Sequence, residues 1–398
     1  FKLMLRYFTI SLVSILFSLY LFEIYLPFKE KLSKEQLSKE QLLKEKLYET
    51  QTGKKWDKRS RLQIYNDLRK VNNKIVIRFQ PSYSLKKQNY PIFPLSGISN
   101  SDTIHCNENG YFSIYKSDRY GFNNPDEEWD SKEIEYLLIG DSFTHGSCVN
   151  RPNDIASVLR TLSNKSTLNL GYGGNGPLIE YATLKEYFNS NIKKVLWIYC
   201  ESNDLYDLVV ERKNESLLKY INSNNYSQNL KDKQDNIDRI LKKIFETEIN
   251  TQLKNRTTKN TQTENDNKLK YKILKFIRLD RTKKIFKKKD TIYEDIIFKE
   301  FEKILKLSVD FSRANNSKFI FVYIPEYRRY NSGNYSDENY NKIISIVKKL
   351  NIDLIDMKKV FDSETNPKAF FPFEQFAWHY NIEGYKKVAE TIYKLTDG

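Results

Sequence analysis

Glu135-Tyr136-Leu137-Leu138-Ile139-Gly140-Asp141-Ser142-Phe143-Thr144-His145-Gly146 reads as a short apolar strand that runs into a tight turn and then a helix. Strands that short and that apolar suit a parallel sheet covered on both faces. A serine at a strand-to-helix turn projects its hydroxyl from the sheet edge, with its own N–H at a helix N-terminus. Taken alone, the stretch is also what a helix-capping serine looks like, so its surroundings decide.

Four further runs share the strand pattern: TLNLG (167–171), KVLWIYC (194–200), KFIFVYI (318–324) and IDLID (352–356). Helical spacing alternates with them around 155–162, 178–188, 296–313, 339–350 and 382–395. Five strands alternating with helices predict a three-layer α/β/α sandwich around a five-stranded, mostly parallel sheet. Ligands of such sheets bind beyond the carboxyl ends of the strands, so the loops there matter most. After the second strand comes GYGGNG (171–176), whose glycines let backbone N–H groups approach a ligand. After the third comes ESND (201–204), which offers the amide of Asn203. His379 heads HYNIEGY (379–385) before the last helix. Serine, backbone N–H, amide and imidazole are the parts needed for acyl transfer through an oxyanion hole.

These four blocks, in this order, resemble the SGNH (GDSL-type) hydrolase family of esterases, lipases and related acyl-handling enzymes. The resemblance spans about 135–395, interrupted by one polar block. It implies that Ser142 of GDSF (140–143) is the nucleophile and His379 the base. It implies oxyanion donors in the N–H groups of Ser142 and Gly174, the latter within NLGYGGNG (169–176), and in the amide of Asn203. No metal and no organic cofactor is implied.

Two positions depart from the family pattern. The third block usually begins with glycine, where this chain has Glu201. An aspartate usually stands three residues before the histidine, and here that residue is Phe376. The far nitrogen of His379 then has three candidate partners: Glu374, a backbone carbonyl or water, and a distant acid. Five extended residues span roughly 16 Å, so Glu374 arrives only if its loop bends back. His145 and His105 are the other histidines, but a base must reach the serine from across the site, which favours His379. With three cysteines and no CxxC pair, neither a disulfide framework nor a zinc site organises the fold. Cys148 and Cys200 read as small buried hydrophobes.

Upstream the chain changes character. From Tyr7 to Phe28 only Glu23 is charged, a stretch about long enough for the roughly 20-residue helix of a bilayer span. No small-residue cleavage site follows it, so residues 1–28 read as an uncleaved transmembrane anchor. In 29–53 the sequence stutters through LSKEQ repeats, with leucines stepping by roughly 140° around a helix. Together with i,i+4 Glu–Lys pairs, this spells a solvated helical spacer. Residues 54–130 carry strand-like pieces, KIVIRF (74–79) and YFSIY (111–115), and form a β-rich lead-in that could line the substrate cleft. Residues 131–398 are the hydrolase-like domain, with a Lys/Asn-rich insertion at about 212–290 that lacks a core of its own. Within it TTKNTQTENDN (257–267) reads as a disordered loop.

Lys and Arg number 66 against 51 Asp and Glu, a net charge of +15 that favours anionic partners. No regular element interleaves basic and aromatic residues as a nucleic-acid module would, so nucleic acid is not an expected partner. The expected activity is that of a membrane-anchored serine hydrolase cleaving or transferring an ester-linked acyl group on a small molecule, glycan or lipid, with O-acetyl on a surface glycan the leading case. Counted literally, the lysines after the apolar stretch would keep the following domain in the cytoplasm. A spacer leading to surface polysaccharide argues for the outer side, which is the placement expected. The alternative from another class is an inactive SGNH-fold protein that binds glycan or lipid.

Overall fold

The computed structural model describes residues 1–86, 91–223, 225–257, 274–279, 281–282, 291–376 and 379–397. Contacts group the chain into two compact units, 1–54 with 250–293 and 55–249 with 294–398.

In the first unit Lys2–Thr52 is one continuous helix, long and apolar enough to cross a membrane. Glu23, the charge inside its apolar part, is not left bare. Its carboxylate accepts the N–H groups of Arg281 and Thr282 and the Thr282 hydroxyl, at 3.2, 2.8 and 2.6 Å. A buried carboxylate without such donors would be strongly disfavoured. Of the stretch expected to be disordered, 258–267 lie outside the described residues, and Thr257 closes the helix Gln234–Thr257.

The second unit holds two sheets. The small one orders β1 (Ile75–Ile77), β2 (Asp102–Ile104) and β3 (Ile114–Lys116), with β1 parallel and β3 antiparallel to the central β2. The large one comprises β4 (Ile134–Gly140), β5 (Thr167–Asn169), β6 (Ile192–Cys200), β7 (Lys318–Ile324) and β8 (Asp353–Asp356), in the order β5-β4-β6-β7-β8 with every pairing parallel. The expected sandwich is borne out, and its alternation shows why. Val195, Trp197 and Tyr199 of β6 and Phe319, Phe321 and Tyr323 of β7 face one core. Leu196, Ile198, Ile320, Val322 and Ile324, the residues between, face the other. Both faces are dry, so helices must cover both. Pro177–Tyr187 and Thr291–Ala314 pack on the first; Ile155–Ser163 and Ile382–Thr396 pack on the second.

Two local differences follow from packing. The front of the polar block is not bare surface: Leu217, Tyr220, Leu230, Ile237 and Leu241 join the first core. Leu217 and Tyr220 lie on the helix Glu215–Asn222, Ile237 and Leu241 on Gln234–Thr257 and Leu230 on the link between them, all in a stretch dominated by lysines and asparagines. Cys148 is not an inert hydrophobe, because it forms a disulfide with Cys106, 42 residues upstream. The β2–β3 hairpin folds over the loop that follows Ser142 and brings the two sulfurs together. Cys200 is free and buried, as expected.

Candidate active site

β4 lies between β5 and β6, the two strands that follow it in the chain, so the crossovers part at its carboxyl end. A crevice opens where strand order reverses in this way, and Ser142 sits at that point. The turn needs Gly140, whose φ is 152°. A Cβ there would lie 2.1 Å from Thr144 Oγ1 and 2.6 Å from the Ile198 carbonyl oxygen. Asp141 accepts the Phe143 N–H at 2.8 Å and caps the short helix Ser142–His145. Tyr172 N–H donates to the Gly140 carbonyl at 3.1 Å and fixes the glycine loop beside the turn.

Ser142 Oγ lies 2.8 Å from His379 Nε2, although the two residues are 237 positions apart. His379 is held on its loop by neighbours: the Tyr380 hydroxyl donates to the Pro325 carbonyl at 2.5 Å, and Asn381 caps the last helix through the Gly384 N–H at 2.9 Å. On the far side of the imidazole stands Glu108, from the tip of the β2–β3 hairpin. Its carboxylate oxygens lie 2.9 and 3.0 Å from Nδ1, and one of them also accepts the His379 backbone N–H at 3.1 Å. Glu108 is buried and His379 half-buried. Burial works against an imidazolium here, but the Glu108 charge and hydrogen bond outweigh it and hold the His379 pKa above its ordinary value. With the proton on Nδ1, facing the carboxylate, Nε2 is free to accept the serine proton.

The partner of Nδ1 is therefore Glu108 and not Glu374. Phe373 and Glu374 take positive φ values of 55° and 59°, and the Glu374 carboxylate accepts from Asn366 Nδ2 at 2.9 Å. The loop bends, but it carries this side chain outward. Glu374→Gln is accordingly expected to change ester turnover by no more than about threefold, the range of a surface substitution. A loss of tenfold or more in steady-state kinetics would contradict that. Sequence reasoning missed Glu108 because it lies 271 positions before His379. The one signal that could have found it was its place two residues after Cys106.

Asn203 lines the same cleft as Ser142, His379 and Glu108, a space of about 320 Å³ walled beyond them by Glu326 and Tyr327. Its Nδ2 donates to Asp207 at 2.7 Å, its Oδ1 accepts from Ser202, and its amide also interacts with the Asp141 carboxylate. Burial raises the Asp207 carboxyl to about 7. Gly174 adopts a φ of 77°, where a Cβ would meet Ser82 Oγ at 2.7 Å. Among the described residues, neither its N–H nor that of Ser142 has a hydrogen-bond partner. Glu201, at the departure from the family pattern, is structural. It pairs with Arg329 through Nε at 2.9 Å and Nη2 at 2.6 Å, and accepts the Tyr323 hydroxyl and the Glu326 N–H. That buried pair sets the wall of the cleft.

The other two histidines serve elsewhere. His145 packs against the rings of His105, Tyr115 and Tyr172, and burial pushes its pKa down to about 3, so it stays neutral. His105 Nε2 lies 3.1 Å from Ser147 Oγ. Glu108, Cys148 and His379 place potential metal donors within 4.8 Å of one another, but the Cys148 sulfur is spent in the disulfide.

With this geometry in hand, the chain can be set beside known proteins. Its structural neighbours are GDSL-type lipolytic proteins and acetyl xylan esterases. One is the acetyl xylan esterase AlAXEase, at 14 % identity and a TM-score of 0.36, covering 66 % of this chain and all of that one. A member of the lipolytic protein G-D-S-L family from Veillonella parvula DSM 2008 has 11 % identity and a TM-score of 0.36, covering 66 % and 98 %. An acetyl-xylooligosaccharide esterase from Geobacillus Stearmophilus has 13 % identity and a TM-score of 0.34, covering 66 % and 95 %. At such identities and TM-scores the likeness says nothing of activity, substrate or mechanism. No family model matches the sequence, and no curated protein matches it.

Proposed function

We propose that this chain is a serine esterase of SGNH type that cleaves or transfers an ester-linked acyl group. The observation that carries the reading is the 2.8 Å contact from Ser142 Oγ to His379 Nε2, with Glu108 on the opposite nitrogen. Ser142 Oγ attacks the ester carbonyl while its proton passes to His379 Nε2. The carbonyl oxygen becomes an oxyanion and is met by the Ser142 and Gly174 N–H groups and by the Asn203 amide, which turns to it from Asp141. Collapse of the tetrahedral intermediate expels the alcohol, which takes the proton from Nε2 and leaves an acyl-Ser142 ester. Water, or a hydroxyl of an acceptor, then gives its proton to Nε2 and attacks the acyl carbonyl; the same proton returns to Ser142. Glu108 positions the ring and stabilises each imidazolium. The inactive alternative drew its support from a missing carboxylate, and Glu108 supplies one.

We read the helix Lys2–Thr52 as the membrane anchor and place the catalytic unit outside the cytoplasm. The Cys106–Cys148 disulfide supports that side, since such bonds persist in oxidising compartments. A membrane-proximal esterase suits O-acyl groups of surface glycan, which is the substrate we propose. The test uses the full chain in detergent with a fluorophosphonate probe. Labelling should map by mass spectrometry to Ser142 and vanish on prior denaturation. A folded protein that takes up no probe, or takes it elsewhere, refutes the assignment.

A further inference from the structure

Beside the glycine loop lies a cation that nothing in the described protein neutralises. The segment leaving β1 carries Arg78, Gln80 and Ser82, residues two apart, and all three turn towards residues 171–176. A Cβ on Gly173 would meet Arg78 Nη1 at 2.0 Å and Gln80 Nε2 at 3.2 Å, and one on Gly174 would meet Ser82 Oγ at 2.7 Å. Arg78 Nε and Nη1 are sealed from solvent without a partner, while the residue as a whole keeps partial exposure. Among the described residues the side chains of Gln80 and Ser82 also make no hydrogen bond. The groups that act on Arg78 most strongly are Tyr172, Tyr115, Arg61 and Tyr83, none of them a carboxylate. Its charge also reaches His379.

A guanidinium withdrawn from water without a counter-charge is strongly disfavoured. The neighbouring imidazoles of His105 and His145 are neutral and cannot supply one. A planar fork of N–H donors flanked by an amide and a hydroxyl is suited to a carboxylate. The loop against which this trio lies carries the Gly174 N–H, one of the oxyanion donors of the esterase reading.

We propose that Arg78, with Gln80 and Ser82, binds a carboxylate of the substrate, so that the preferred ester belongs to an acidic molecule. Two sources share that chemistry: a sugar acid acylated on a hydroxyl, and a half-ester of a dicarboxylic acid. The proposal deepens the esterase reading and rests on it for the placement of the ester.

The experiment compares two pairs of esters with the full chain. One pair is an O-acetylated methyl glucuronoside against the O-acetylated methyl glucoside. The other is mono-p-nitrophenyl succinate against p-nitrophenyl acetate. In one of the two pairs kcat/KM should favour the acid by about tenfold or more, which identifies the source, and Arg78→Gln should erase that ratio. Gln80→Ala should lower it by about threefold. The thermal midpoint of Arg78→Gln should hold or rise, because an unpaired charge has been removed; a structural role would lower it. A ratio near one in both pairs, or one that survives Arg78→Gln, overturns the proposal. Equal losses on neutral and acidic esters in Arg78→Gln also overturn it, since Arg78 would then serve the oxyanion. If no ester is turned over at all, the esterase reading fails alone, and calorimetric binding of methyl glucuronoside and of succinate to Ser142→Ala, with and without Arg78→Gln, still decides the anion site. Binding lost with Arg78 supports it, and no binding of either acid refutes it.

Discussion

Ser142→Ala is expected to lower kcat on p-nitrophenyl acetate by a factor on the order of 10⁶, leaving only what the oxyanion donors give to attack by water. On the proposed mechanism this hydroxyl forms the acyl intermediate, and alanine removes it without changing the turn, which depends on Gly140 and the Asp141 cap. The thermal midpoint should stay within a few degrees of the parent, because Ser142 is only partly buried and loses one strong contact. Stopped assays with enzyme in excess give the sensitivity required. Turnover that persists within tenfold of the parent would mean that the nucleophile lies elsewhere.

The second large effect belongs to Glu108. One of its oxygens faces two donors, the backbone N–H and Nδ1–H of His379, and the other faces Nδ1–H as well. A glutamine keeps one acceptor oxygen and turns an NH2 group towards a donor. The imidazole can relieve that conflict by moving its proton to Nε2, where it blocks acceptance from Ser142. Glu108→Gln should therefore cost on the order of 10³- to 10⁴-fold in kcat with the fold intact. The pH profile separates positioning from mere scaffolding. In the proposed mechanism His379 acts as a neutral base, and its pKa is raised, so the parent rate should fall on the acid side through an apparent pKa above the ordinary 6.5. Without the Glu108 charge that limb should move to lower pH. An acid limb that stays in place would show that Glu108 does not tune the histidine.

The sheet was legible because period and burial agree at every strand: β6 and β7 alternate between two dry faces, and both faces are apolar in the sequence. Ser142 and His379 were legible for a different reason, since each sits at the end of an element whose position follows from that pattern. Glu108 was not, because nothing local marks it. It is one acid among 51 and reaches the site through a hairpin that crosses the crevice from a separate sheet. Arg78 carries no local mark either, lying within the strand-like run KIVIRF (74–79). The apolar residues of 215–244 were diluted by a polar composition, so their packing against the core could not be counted in advance.

The disulfide closes a loop of chain around both the serine and the acid. Closing 42 residues of chain removes freedom from the unfolded ensemble worth about 4 kcal/mol, in the chain-entropy view. That restraint falls on the span from two residues before Glu108 to six residues after Ser142. Apart from that bond, the loop bearing Glu108 is held by single hydrogen bonds such as Asn109 Nδ2 to the Cys148 carbonyl at 3.0 Å and Asn107 Nδ2 to the Asp57 carbonyl at 2.9 Å. Reduction of this bond is therefore expected to loosen the acid behind the histidine while leaving the five-stranded sheet in place.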